Sequence, residues 1–81
     1  MHFSAQFAAS AAATEDERSR VHTSGPDKGT FYVSFNAEAS PAKQPDGSYD
    51  FAEAYVEGMR EFLIAEPRVA QGEALRVSVI S

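Results

Sequence analysis

Residues 48–67, SYDFAEAYVEGMREFLIAEP, decide how this chain is read. At about 3.6 residues per turn, Phe51, Tyr55, Gly58, Met59 and Phe62 fall on one side of a helix, flanked by Ala54 and Leu63. Glu53, Glu57, Arg60, Glu61 and Ile64 fall on the other. Both ends are marked. Asp50 is a good N-cap, and Glu53 at the third helical position can return the hydrogen bond. Pro67 forbids continuation, because its ring clashes with a helical carbonyl and biases Glu66 out of the helical region. The spacing therefore predicts a helix from Asp50 to about Ala65 that packs on one side and turns carboxylates outward. Gly58 lies on the packing side, where glycine costs about 1 kcal/mol relative to alanine. Either the backbone closely approaches the layer beneath, or the glycine is only tolerated.

That layer is a sheet. Residues 2–9 alternate, with Phe3, Ala5, Phe7 and Ala9 facing one way and His2, Ser4, Gln6 and Ala8 the other. Residues 30–37 repeat the pattern through Phe31, Val33, Phe35 and Ala37. Residues 74–80 do so again, with Leu75, Val77 and Val79 set against Arg76 and Ser78, launched by a Gln71-Gly72-Glu73 turn. Residues 38–48 hold Pro41, Pro45 and Gly47 among polar residues and read as an exposed loop.

Residues 10–24 support two readings. Thr14 with Glu17 is a capping-box pattern, and the alanines before it favour helix. Only Val21, however, anchors a helix from Glu15 to His22. The favoured reading pairs Arg18–Ser24 with Thr30–Ala37 across the Gly25–Gly29 turn, so that Arg18, Arg20 and His22 line a solvated edge. Strands, one helix and a final strand give an α+β domain: a small antiparallel sheet of three to four strands with one amphipathic helix across one face, ordered β-β-β-α-β or β-β-α-β.

The length of 81 residues leaves room for one domain, 1–81, with one modest core. A hydrophobic fraction of 43 % and an aromatic fraction of 11 % are those of a folded chain. There is no cysteine, which removes disulfides and thiolate metal sites. No apolar run reaches membrane-spanning length. The opening MHFSAQFAASAAA lacks the basic leader and leucine-rich centre of a signal peptide, so a cytoplasmic protein is expected. The net charge of −5, from 12 acidic and 7 basic side chains, argues against direct contact with nucleic acid or an anionic membrane. It suits a basic protein partner, and it equally serves plain solubility.

Catalytic and metal constellations do not assemble. His2 and His22 have no ligand companions at zinc spacing. Asp46, Asp50 and Glu53 cluster near the helix start, but Asp50 and Glu53 already serve as caps. The serines and threonines lack a His–acid pair, and no glycine loop has phosphate-binding spacing. No enzyme and no cofactor are expected. What remains is the row Glu53, Glu57 and Glu61, which recurs every four residues at about 6 Å along the axis. Such a row can compete with a nucleic-acid backbone for a partner's arginines and lysines. Glutamate is also a good helix former, so the row equally suits an ordinary solvated face.

The order of a short strand, a polar connection, the GTFYVSF strand, the DFAEAYVEGMREFL helix and a Gly-Glu before the last strand resembles the N-terminal domain of HicB-type antitoxins. Tyr32, Val33 and Phe35 carry the strand part of the resemblance, and Glu53, Ala54, Gly58 and Leu63 the helix part. The family's Phe-Pro-Asp-x-Pro-Gly turn is replaced by Asn36–Gly47, and its DNA-binding tail has no counterpart here, so autoregulation is not implied. The resemblance implies a fold and a style of action, the blocking of a partner by contact. The chain is also similar in kind to small acidic phage-encoded inhibitors, anti-CRISPR proteins among them. The expectation is a non-catalytic inhibitor, monomer or homodimer, that masks the basic surface of a nucleic-acid-handling protein through Glu53, Glu57 and Glu61, extended by Asp46 and Asp50. The alternative is an assembly protein that self-associates through sheet edges.

Overall fold

The computed structural model describes residues 1–10 and 13–79. Strand β1 (His2–Ala8) leads to helix α1 (Glu15–Ser19) and strand β2 (Thr30–Asn36). A small hairpin of β3 (Ala42–Lys43) and β4 (Tyr49–Asp50) precedes helix α2 (Ala52–Ala65). A single turn, α3 (Pro67–Ala70), then leads to strand β5 (Arg76–Val79). The fold is α+β, with an antiparallel sheet in the order β2-β1-β5.

The alternation of residues 2–9 sets the register. Phe3 faces Phe35 and Val79, Ala5 faces Val33 and Val77, and Phe7 faces Phe31, so every inner residue meets another across the ladder. Phe3, Ala5, Phe7 and Phe31 are fully buried. Ile80, at the end of the alternation, lies outside the described residues, as do Ala11 and Ala12 of the alanine run.

Two covers lie over the β1–β2 part of this face, at opposite ends of β1. Helix α2 covers the Phe3 end, where the Phe62 ring stacks on Phe35 at 5.4 Å and leans on Phe3 at 5.9 Å. At the other end Phe7 stacks on Phe31 at 5.6 Å, and the Arg68 guanidinium lies 4.7 Å over the Phe7 ring. Each buried phenylalanine contributes roughly 1.5–3 kcal/mol of apolar transfer, so four of them carry much of this small core.

The helix seats on a narrower line than the wheel suggests. Its buried residues are Ala54, Gly58 and Phe62, at steps of four, while Phe51 and Tyr55 are 49 % and 43 % exposed. Gly58 explains the seat: a Cβ there would stand 2.6 Å from Cε2 of Phe3 and 3.3 Å from Cβ of Ala37. The backbone does approach the sheet at that point, and the larger side chains on the margin are pushed off to the flank.

Four local expectations are corrected. Residues 15–19 form a helix, not a strand paired with β2; Thr14 and Glu17 complete their capping box, with Glu17 N–H donating to Thr14 Oγ1 at 3.2 Å and Thr14 N–H to Glu17 Oε1 at 3.0 Å. What anchors this short helix is Glu17 itself, gripped by Arg68. Of the expected edge pairing only His22 remains, donating its N–H to Thr30 O and accepting from Gly29 N–H. The expected loop at 38–48 carries β3 and the turn that pairs it with β4 just beyond.

The cap of α2 also differs. Phe51, not Asp50, is the N-cap residue; Asp50 belongs to β4 but still accepts the Ala52 N–H at 3.0 Å. Lastly, Leu75 leaves the inner face. Its N–H bonds to Gln6 O at 2.7 Å although Gln6 already faces Arg76, so two successive residues oppose one, as in a β-bulge. The parity slip leaves Leu75 exposed.

Candidate protein-docking surface

The candidate residues sit on two adjoining elements, α2 and the hairpin before it. The hairpin is local: Gln44 N–H bonds to Ser48 O at 2.7 Å, and Gly47 takes a φ of 89°, which a β-carbon would oppose. Asp46 holds the tip, accepting from Ser48 N–H at 2.9 Å and Ser48 Oγ at 2.6 Å. These bonds, the hydroxyl's first, hold its carboxyl below the ordinary range. Tyr49 and Asp50 then pair with Lys43 and Ala42 and deliver the chain into α2.

On α2, Glu53 and Glu57 are exposed and share a shallow cleft of about 350 Å³ with Ala39, Ser40, Ala42 and Ala54. Glu57 accepts from Arg60 Nη1 at 2.9 Å, an exposed pair of small energetic weight. Glu61, third in the row, is half-buried and accepts the Glu38 N–H at 3.4 Å, which turns it toward the strand-to-hairpin connection. The structure thus groups Glu53 and Glu57 in one concavity. Asp46 and Asp50 lie on the neighbouring hairpin, each tied to local backbone, and Glu61 is set apart.

Sequence reasoning missed the apolar part of this surface. Tyr49, Phe51, Tyr55 and Val56 are all large and at least two-fifths exposed, and the Tyr49 and Phe51 rings lie 6.4 Å apart. Val56 was the available signal, because it interrupts the outer face with a β-branched apolar residue between Glu53 and Glu57. Large apolar residues gathered on one exposed segment and framed by charge are a feature of protein contact surfaces.

Elsewhere the chemistry is sparse. His2 opposes Asn36 at one end of the sheet, while His22 sits edge-on to Tyr32 at 5.7 Å. Among the described residues no group of three His, Cys, Asp or Glu is placed to hold a metal ion. No helix among them is long and apolar enough to cross a membrane. Among the described residues the deeply set ionic cluster is Arg68 with Glu17 and Glu66, which joins α1 to α3. Comparison with protein-family models, with curated proteins and with solved structures finds no match to this chain.

Proposed function

We propose that this protein is a non-catalytic inhibitor, antitoxin-like or encoded by a phage or mobile element, that masks the basic surface of a nucleic-acid-handling protein. The observation that carries the reading is the segment from Tyr49 to Glu57. It leaves four large apolar side chains half out of the core and sets Asp50, Glu53 and Glu57 among them. Aromatic anchors supply contact area at low entropic cost, and carboxylates around them select a basic partner and speed its approach. The net charge of −5 acts in the same direction.

The test is affinity capture from the native host with mass spectrometry, followed by binding across a salt series for wild type and the triple variant Glu53→Gln, Glu57→Gln and Glu61→Gln. A basic nucleic-acid-handling partner, weakened binding in the variant and a steep salt dependence support the reading. A partner bound equally by both proteins, without response to salt, overturns it.

One observation favours a second reading, self-association through β5. Val77 and Val79 lie on the inner face beside the fully buried Ala5 and Phe3, yet remain partly exposed because α2 covers the β1–β2 side. The bonds Ala37 N–H to Met1 O and Ala9 N–H to Gly29 O assign the odd residues of β1 to β2 and the even ones to β5. By the same alternation Val77 and Val79 direct their backbone groups to the open edge. Sedimentation at increasing concentration that gives a salt-insensitive dimer supports this reading; a monomer throughout removes it.

A further inference from the structure

We infer that the cleft between α2 and residues 39–42 receives an arginine side chain of the partner, flanked by contact of the neighbouring aromatic residues with the partner's surface. This inference rests on the masking reading and specifies its point of attachment. Three features combine. The first is shape: Ala39, Ala42 and Ala54 give the cleft an apolar wall of methyl groups, and about 350 Å³ is room for one long side chain. An arginine has a methylene stem that packs on such a wall while its charged head stays at the rim. The second is charge: Glu53 and Glu57 stand at that rim one helical turn apart. Among the described residues the Glu53 carboxylate makes no hydrogen bond or ion pair, and Glu57 pairs with the exposed Arg60, a contact that solvent and salt loosen easily. The third is position: Phe51 and Val56 are exposed and lie, in sequence, two residues before Glu53 and one before Glu57, so they flank the cleft-lining segment as contact area for a partner seated there.

The protein displays the same chemistry internally. Arg68 is held by the carboxylates of Glu17 and Glu66 with its guanidinium over the Phe7 ring. Arginine fits better than lysine because its planar fork can bond two carboxylates at once, whereas an ammonium is a compact and strongly hydrated point charge.

The experiment uses the full chain, isotope-labelled for NMR, titrated with a nine-arginine peptide and, separately, a nine-lysine peptide. Three variants accompany it. Glu53→Gln with Glu57→Gln removes the rim charge. Ala42→Leu fills the cleft and keeps every charge, at an exposed strand position that tolerates leucine. Glu15→Gln with Asp16→Gln removes the same number of charges from α1, away from the cleft. Melting curves and amide spectra certify that each is folded.

The expected result is shifts concentrated at Ala39, Ala42, Glu53, Ala54 and Glu57, with the arginine peptide binding more tightly than the lysine peptide. Affinity should fall roughly tenfold in the rim variant, as for two exposed ion pairs lost together, and fall also in Ala42→Leu, while the α1 variant binds as wild type does. If the rim variant weakens and Ala42→Leu does not, the carboxylates act from an open face; the cleft inference is overturned and the masking reading stands. Equal weakening of the rim and α1 variants, or shifts scattered over the surface, means attraction to net charge alone and also overturns the inference. The masking reading is judged separately, by the salt series with the captured partner.

Discussion

Arg68 grips Glu17 across 51 positions of sequence, with Nη1 donating to Oε1 and Nη2 to Oε2, both at 2.8 Å. Its Nε also donates to Glu66 at 2.6 Å, so one guanidinium joins α1, the end of α2 and α3 over the Phe7 ring. Glu66 in turn accepts the Arg68 N–H at 3.3 Å and caps α3, placing Pro67 at the helical start where its missing N–H costs nothing. The following turn closes with Gly72 N–H to Val69 O and Glu73 N–H to Arg68 O, the double bond pattern of a Schellman motif.

Breaking this cluster should be costly. Arg68→Met strands two nearly buried carboxylates and should destabilise by about 3–5 kcal/mol, the range for an uncompensated buried charge. Urea denaturation measures it. A loss of less than 1 kcal/mol, by the same scale, would mean that water already reaches the pair.

Acid should act through the same residues. The Arg68 guanidinium, by hydrogen bonding first, holds the Glu17 carboxyl at about 2, against an ordinary value of 4.5, and lowers Glu66 as well. Because the folded value is depressed, this stabilisation is present above about 4.5 and is lost as pH falls toward about 2. The melting temperature of wild type should decline through that window. Glu17→Gln should be less stable at neutral pH and flatter in acid; an acid limb as steep as that of wild type would assign the sensitivity to other carboxylates.

Gly58→Ala tests the close approach over Phe3. Alanine gains about 1 kcal/mol of helix propensity, but its methyl group would stand 2.6 Å from the ring of a fully buried phenylalanine. Overpacking of this kind costs about 1–3 kcal/mol, so the net effect should be destabilising. Phe3→Leu should make the same substitution milder, giving a coupling energy in a double-mutant cycle.

Phe62→Ala should destabilise by about 3–5 kcal/mol, because its ring fills the space between Phe3 and Phe35. Ile64, two residues on and 76 % exposed, should lose under about 1 kcal/mol on truncation to alanine. Similar midpoints for the two variants in denaturant would place the helix face wrongly.

The docking surface makes a contrasting prediction. Phe51→Ser should change stability by less than about 1 kcal/mol, since the side chain is half exposed and outside the helix. If Phe51 anchors the partner, affinity should drop by roughly thirtyfold, the scale of a hot-spot residue. An unchanged affinity would remove Phe51 from the contact.

The sequence by itself determined the elements whose periodicity is strong. Alternation over residues 2–9 and 30–37 specified both strands and their inner faces, because a one-residue slip would turn every phenylalanine into water. The span of α2 followed from its apolar spacing and Pro67. Its exact seat did not, because apolar spacing cannot tell which of several residues will be buried; the glycine that permits contact with Phe3 chose Ala54, Gly58 and Phe62 as the buried line and left Phe51 and Tyr55 about half exposed, Tyr55 with its ring 6.0 Å from that of Phe3. Likewise, α1 looked unsupported when only its own apolar residues were counted. Its anchor is a carboxylate whose partner lies 51 residues away, and pairing at that distance is decided by how the layers stack. The candidate site divides the same way: Glu53 and Glu57 were legible as a row, whereas the cleft exists only once the 39–42 segment is laid against the helix. Local pattern reports which faces must be buried. Tertiary packing decides which side chains share them, because that depends on volumes and charges brought together from distant parts of the chain.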